Sequence, residues 1–399
     1  MPRLSWFGTV LSPTPILLFR GILGASGRSS RHERSLLRGS IFISKGVRLT
    51  RQLRRNWDLP LSPRLAWQSF VAGPLFSALQ AMQQASTAKQ RPQTSPAGSI
   101  FVLGYWRSGT TLLHEYLCHD DRFGFPSTYA CMQPQHFVLT QPAALRRPLR
   151  AVRRPMDDVR VTAGSPQEDE FALLALGARS PYEALLAPRH LAEALALGDP
   201  LSLSAQELRH WKQTFLSFLN GVSAVEGGRP LVLKSPPHGY RLGLLRELCP
   251  DSYFVLVVRA PEIVYESTVR MWRTLFGVYS MEALPPEDDT RKAVLEDRPR
   301  FEAKLAAGLA GLRQDRTVLV RYEELVQNPI KVLGGLYEQL RLGGFAKVES
   351  AIKAELRLRG EYKARNAPPP EHWLRKLRSD WAAIYDKYQY PNGAGRAGK

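Results

Sequence analysis

The chain is short of cysteine, short of acidic residues, and without a long apolar run. Its three cysteines, Cys118, Cys131 and Cys249, are scattered through 399 residues. That number and spacing exclude a disulfide framework and a cysteine-built zinc site, and the odd count favours a reducing compartment. No uninterrupted apolar stretch reaches the roughly 18–20 residues that span a bilayer. The nearest, Leu4–Phe19, contains Pro13 and Pro15 and stops at Arg20, where a secretory signal would need small residues for cleavage. The expectation is a cytoplasmic protein, free in solution or resting on a membrane.

The deficit of acid is large. Thirty-six Asp and Glu stand against 55 Lys and Arg, which leaves a net charge of +19. Such a surplus favours an anionic partner: a nucleotide, a sulfated or phosphorylated substrate, nucleic acid, or acidic lipid. The rest of the composition, 44% hydrophobic and 23% charged, is that of a folded protein and excludes wholesale disorder.

The charge is uneven. Residues 1–60 hold eleven Lys or Arg and only two acids, Glu33 and Asp58. Apolar clusters at Ile16–Phe19 and Ile41–Ile43 interleave with that charge, so this arm suits peripheral contact with an anionic membrane. The alternative is a basic arm packed loosely on the main domain. Trp67–Gln84 has helical spacing, and Gln90–Gly98 reads as a linker. The expected division is therefore a basic arm with a helical segment over residues 1–95 and one main domain over 96–399.

Beyond the linker the pattern changes. Ser99–Leu103, Leu231–Leu233, Tyr253–Val258 and Thr317–Val320 are short apolar, β-branched runs, most followed by helix-forming sequence. Runs of that kind between helices make a parallel sheet covered on both faces. The predicted fold is α/β, three-layered, with a central parallel sheet flanked by helices.

The first run leads into Gly104-Tyr105-Trp106-Arg107-Ser108-Gly109-Thr110-Thr111 and then a helical LLHEYL. Two glycines with four residues between them, set between strand and helix, form a phosphate-binding loop. Backbone N–H groups wrap the anion, and the helix N-terminus adds partial positive charge. A nucleoside-triphosphatase would carry Lys where Thr110 stands, and a strand-end Asp for magnesium. Here the strand Tyr253–Val258 ends in Arg259 instead. The loop suits an anionic group moved without a metal ion.

These residues resemble the sulfotransferases that use 3′-phosphoadenosine 5′-phosphosulfate (PAPS). Arg107–Thr111 matches that family's first signature, Arg/Lys-Ser-Gly-Thr-Thr, which holds the 5′-phosphosulfate; the Arg form marks one branch. Arg259, followed eight residues on by Ser267, matches the second, which holds the 3′-phosphate. The resemblance covers roughly residues 97–390. It implies PAPS as donor and Arg107, Ser108, Gly109, Thr110, Thr111, Arg259 and Ser267 as its binding residues. Tyr322, in a Tyr-Glu-x-Leu segment, is implied near the nucleotide. Lys363, with Arg365 second, stands where the family closes a basic loop over the 3′-phosphate. For Arg259 the bland alternative is a surface ion pair with Glu262 or Glu266.

Sulfuryl transfer needs cationic donors on the leaving oxygen and a base for the acceptor hydroxyl. Arg107 and Lys234 are the expected donors; the resemblance implies the same for both positions. For the base, Ser165-Pro166-Gln167-Glu168 reads as a capping box, which gives Glu168 a structural task. Asp169 and Glu170 have none so evident. Glu170 ranks first and His136 second, with His238 a further rival and His114 expected as packing. Glu170–Trp211 and Met281–Arg300 are expected to wall the acceptor pocket. The aromatic tail of Trp373, Trp381, Tyr385, Tyr388 and Tyr390 reads as core.

The sequence thus predicts a PAPS-dependent sulfotransferase acting on a hydroxyl or amine of a carbohydrate, lipid or other acceptor, with no metal and no nucleic acid. The rivals are a P-loop small-molecule kinase, which would require magnesium and ATP, and an inactive polyanion-binding protein.

Overall fold

The computed structural model describes residues 57, 77–86, 96–146, 151–156, 159–359 and 367–392. The four apolar runs are strands of one parallel sheet: β1 (Ile100–Leu103), β2 (Val232–Lys234), β3 (Tyr253–Val258) and β4 (Thr317–Arg321). Their order across the sheet is β2-β1-β3-β4. Ile100 pairs with Val232 on one side and Tyr253 on the other, and Phe254 pairs with Thr317.

Alternation along the strands divides the interior in two. Phe101, Leu103, Leu233, Phe254, Leu256 and Val258 face a large aromatic core with Trp106, Trp211, Trp272 and Phe301. Ile100, Val102, Val232, Val255, Val257 and Val320 face a smaller one with Leu113, Leu117, Leu333 and Leu336. Helices cover both faces, which is the predicted three-layer α/β arrangement.

The helices that position the site are α1 (Thr110–Leu117), α2 (Glu170–Ala175), α3 (Pro261–Tyr279) and α4 (Glu287–Leu309). Met281–Arg300, expected as a pocket wall, is largely helix α4. The aromatic tail lies on α5 (Glu371–Asp380) and α6 (Ala382–Lys387) and just beyond them, with Trp381, Tyr385 and Tyr388 buried.

Most of the basic arm lies outside the described residues. Residues 77–86 are helical, within the helix expected over Trp67–Gln84 and two residues past it. Gln83 donates to the Pro134 carbonyl at 2.8 Å and accepts from the Val138 N–H at 2.9 Å. Trp57 Nε1 donates to Glu183 at 2.7 Å. Among the described residues no helix is long and apolar enough to cross a membrane.

Strand β1 is followed in sequence by β2 on one flank and then by β3 on the other. In such open sheets the ligand crevice lies beyond the carboxyl ends of the strands, where that order reverses. Gly104, Lys234 and Arg259 each directly follow or end a strand at this edge.

Candidate active site

The loop from Gly104 to Gly109 joins β1 to α1. A Cβ on Gly109 would lie 2.1 Å from Tyr322 Cδ2, and one on Gly104 would lie 2.5 Å from Ser108 Oγ and 2.8 Å from the Val257 carbonyl. Close approach therefore demands glycine at both ends. Arg107 has φ of 67°, a left-handed conformation that costs a non-glycine residue roughly 1–2 kcal/mol. Its carbonyl accepts from Arg259 Nη1 at 3.2 Å, and its Nε donates to Ser267 Oγ at 3.0 Å. Helix α1 has no capping side chain, and the N–H groups of Gly109, Thr110 and Thr111 donate to no acceptor among the described residues.

Arg107, Arg259 and Ser267 thus come together from three elements, although Arg107 and Ser267 are 160 residues apart. The Arg259 guanidinium lies over the Tyr322 ring, 4.2 Å from its centroid. The nearby acids Glu262 and Glu266 are engaged elsewhere: Glu262 accepts from Tyr385 and Glu266 pairs with Arg291, each at 2.8 Å. Lys363 and Arg365 lie outside the described residues.

The other half of the site centres on Lys234. Its Nζ lies 2.6 Å from Glu168 and 3.4 Å from Thr111 Oγ1 on the loop helix. The second Glu168 oxygen accepts from the Tyr182 hydroxyl, which in turn accepts from Trp106 Nε1 at 3.2 Å. Burial first, and the Glu168 charge second, raise the Tyr182 pKa well above its ordinary value, so this phenol remains a donor.

The capping box expected at Ser165–Glu168 is not formed. Ser165 Oγ accepts from the Thr162 N–H at 2.9 Å, Gln167 N–H donates to the Pro126 carbonyl at 2.9 Å, and the helix starts only at Glu170. Tertiary contacts to residues 126–128 hold this stretch extended, and Glu168 is freed for Lys234. Glu168 and Tyr182 are the residues a reading along the chain misses; the pairing spans 66 residues and leaves no local signal.

The remaining candidates lie deeper. Glu170 is fully buried and accepts from Arg241 Nη1 at 2.6 Å and Nη2 at 3.2 Å. Asp169 accepts from Ser235 Oγ at 2.7 Å and lies 2.9 Å from His238 Nε2. Burial raises the Asp169 pKa, but His238 and the hydrogen bonds outweigh it and hold the carboxyl below 3.8. His136 is buried, with Nδ1 3.0 Å from Thr140 Oγ1, and burial lowers its pKa. His114 Nε2 donates to the Val232 carbonyl at 3.2 Å. Among the described residues no group of three or more His, Cys, Asp or Glu could hold a metal ion.

The chain is similar to several known proteins. A model of the sulfotransferase family matches residues 99–346. Omega-hydroxy-beta-dihydromenaquinone-9 sulfotransferase Stf3 of Mycobacterium bovis is 32% identical over 292 residues, covering 73% of this chain and 75% of that protein. The crystal structure of sulfotransferase STF9 from Mycobacterium avium superposes with a TM-score of 0.64 at 18% identity, over 98% of this chain and 99% of that one. Sulfotransferase STF1 from Mycobacterium tuberculosis superposes at 0.58 and 15% identity, over 92% and 98%. The two structural likenesses show a shared fold.

Proposed function

This chain belongs to the sulfotransferase family, enzymes that transfer a sulfuryl group, and on that premise we propose how its site works. The donor that the family implies is PAPS, and the residues present fit it. The uncommitted N–H groups of Gly109, Thr110 and Thr111 at the start of α1 form an anion cradle, with the Ser108 hydroxyl beside them. Arg259 and Ser267 receive the 3′-phosphate, and Tyr322 lies against the nucleotide; Lys363 keeps its expected role over the 3′-phosphate. When bound, PAPS supplies the sulfuryl group and leaves as adenosine 3′,5′-bisphosphate. No metal enters this reading.

Glu168, in place of Glu170, is the base. Its carboxylate is partly exposed, whereas that of Glu170 is sealed against Arg241. Glu168 takes the proton of the acceptor hydroxyl as that oxygen forms its bond to sulfur. Neutralised, it loosens its hold on Lys234, whose ammonium then donates with Arg107 to the oxygen that leaves. His136 stands second as base.

The observation that carries this reading is the meeting of Lys234 with both Glu168 and the loop residue Thr111. The acceptor we propose is a hydroxyl on an apolar, prenyl-like lipid. The Stf3 relative is named for a hydroxylated menaquinone derivative, and Phe171 stacks on Tyr182 at 4.9 Å beside Glu168. A cytoplasmic enzyme whose basic arm rests on an anionic membrane fits such an acceptor, with the domain division at residues 95 and 96.

Calorimetric titration with adenosine 3′,5′-bisphosphate, ATP–Mg²⁺ and 5′-AMP tests the donor. Selective, metal-independent binding of the bisphosphate is expected; preference for ATP–Mg²⁺ would move the protein to the kinases. Sulfation of farnesol but not glucose from labelled PAPS tests the acceptor class, and the reverse preference would sink it.

A further inference from the structure

Glu168 and Lys234 sit at the outer end of a ladder. Three consecutive acids, Glu168, Asp169 and Glu170, face the segment that leaves β2, and each meets a different partner there. Glu168 pairs with Lys234 at 2.6 Å, Asp169 with Ser235 at 2.7 Å and His238 at 2.9 Å, and Glu170 with Arg241 at 2.6 Å. The Glu170 N–H adds a bond to Ser235 Oγ at 3.1 Å. The partners run in the same order along both segments, so a slip of one residue would break every rung.

Access falls sharply along the ladder. The side chain of Glu168 is 13% exposed, while those of Asp169 and Glu170 are 0% exposed. Only the outermost rung can meet a substrate. The inner rungs are poor value as stabilisers, because three adjacent carboxylates repel and a buried ion pair brings little net stability over apolar packing. Fixing a register is the better-attested use of such groups.

We propose that Asp169, Ser235 and His238 are positioning residues that hold Glu168 against Lys234 for sulfuryl transfer. Asp169 adjoins Glu168 in the chain and Ser235 adjoins Lys234, so the Ser235–Asp169 hydrogen bond ties the two reactive residues together one peptide unit behind them. His238 Nε2 lies 3.2 Å from the Asp169 oxygen that Ser235 holds and 2.9 Å from the other. Its ring is edge-on to Phe101 at 5.6 Å and to Phe215 at 5.9 Å, so core packing fixes its orientation. None of the three needs to touch donor or acceptor. A displacement of about 1 Å at the reacting groups is enough to cost about 10²-fold in rate.

The inference rests on Glu168 as base, and the test separates the two. Ser235→Ala, Ser235→Thr, His238→Gln and Glu168→Gln are compared by release of adenosine 3′,5′-bisphosphate from PAPS, with farnesol and with water as acceptor. Crystal structures of the Ser235 and His238 variants give the Lys234–Glu168 separation. Ser235→Ala and His238→Gln should lower kcat about 10²-fold at unchanged KM for PAPS, with the pair parted beyond hydrogen-bond reach. Ser235→Thr, which keeps the hydroxyl, should recover most of the rate; a purely structural role would not divide kcat from KM in this way. Loss of turnover in Glu168→Gln beside intact His238→Gln and Ser235→Ala, or an unmoved pair in their crystals, overturns the positioning role alone. A normal rate in Glu168→Gln overturns the base assignment and this inference with it.

Discussion

The donor side and the acid side of this site are built in different ways. On the proposed donor side the surface is the chain's own backbone: one loop between two glycines leading to the N–H groups of Gly109, Thr110 and Thr111, which no described protein acceptor takes. Arg259 and Ser267 reach it from neighbouring elements, but the loop's shape is local. On the acid side no stretch of backbone forms the site. It exists only because residues 168–170 meet residues 234–241, in pairs 66 to 71 residues apart. The first leaves backbone donors without described acceptors; the second is already charge-paired and mostly sealed.

If that division holds, damage to the acid side should appear in turnover or stability and damage to the donor side in affinity. The largest effect is expected at its outermost carboxylate. Glu168→Gln should lower kcat by about 10²–10⁴-fold, the usual contribution of a general base, with binding of adenosine 3′,5′-bisphosphate retained in calorimetry. A tenfold loss of affinity with normal kcat would erase the distinction between the sides. Two residues further in, the effect should change in kind. Glu170→Ala leaves the Arg241 guanidinium buried and unpaired, which costs about 3–5 kcal/mol. Urea unfolding should register that loss, and a variant as stable as the parent would show that Glu170 is no structural anchor.

The same division explains what could be read from the sequence. The strands were legible because Tyr253–Val258 and its fellows are too short and too β-branched for buried helices, and the sheet needs little else. The loop was legible because Gly104, Gly109 and the helix they lead into follow one another directly in the sequence. Glu168 was misread because Ser165 stands three residues before it, the spacing of a capping box. In the fold, Ser165 turns back to Thr162 and Gln167 is drawn to Pro126, so the local signal loses to long-range contacts. Glu170 stands out in the sequence because nothing near it in the chain accounts for it; its partner Arg241 is 71 residues away.

A smaller effect is expected on the donor side. Arg259→Ala removes hydrogen bonds to a charged group, worth about 1.5–3 kcal/mol, so affinity for adenosine 3′,5′-bisphosphate should fall by about one to two orders of magnitude. Affinity for 5′-AMP, which lacks the 3′-phosphate, should hardly change. Equal losses for both ligands would mean that Arg259 supports the loop through the Arg107 carbonyl and does not reach the 3′-phosphate. Turnover at saturating PAPS should stay near the parent's.

The mildest test falls where the two sides touch. His114 lies on the loop helix and donates to the Val232 carbonyl on the strand that carries Lys234. Burial, and then the Lys234 charge, push its pKa down from 6.5 to about 3. Between those values the unfolded chain binds a proton that the folded chain refuses, so stability must fall as pH drops below 6.5 and level off near 3. From pH 7 to pH 5 this one group should cost about 2 kcal/mol. His114→Gln keeps an amide donor for the carbonyl and has nothing to protonate. Its unfolding free energy should therefore fall less over that interval, by about the same 2 kcal/mol. If both proteins lose stability in parallel, His114 is not held neutral, and the seam between the loop helix and the Lys234 strand is wetter than its burial implies.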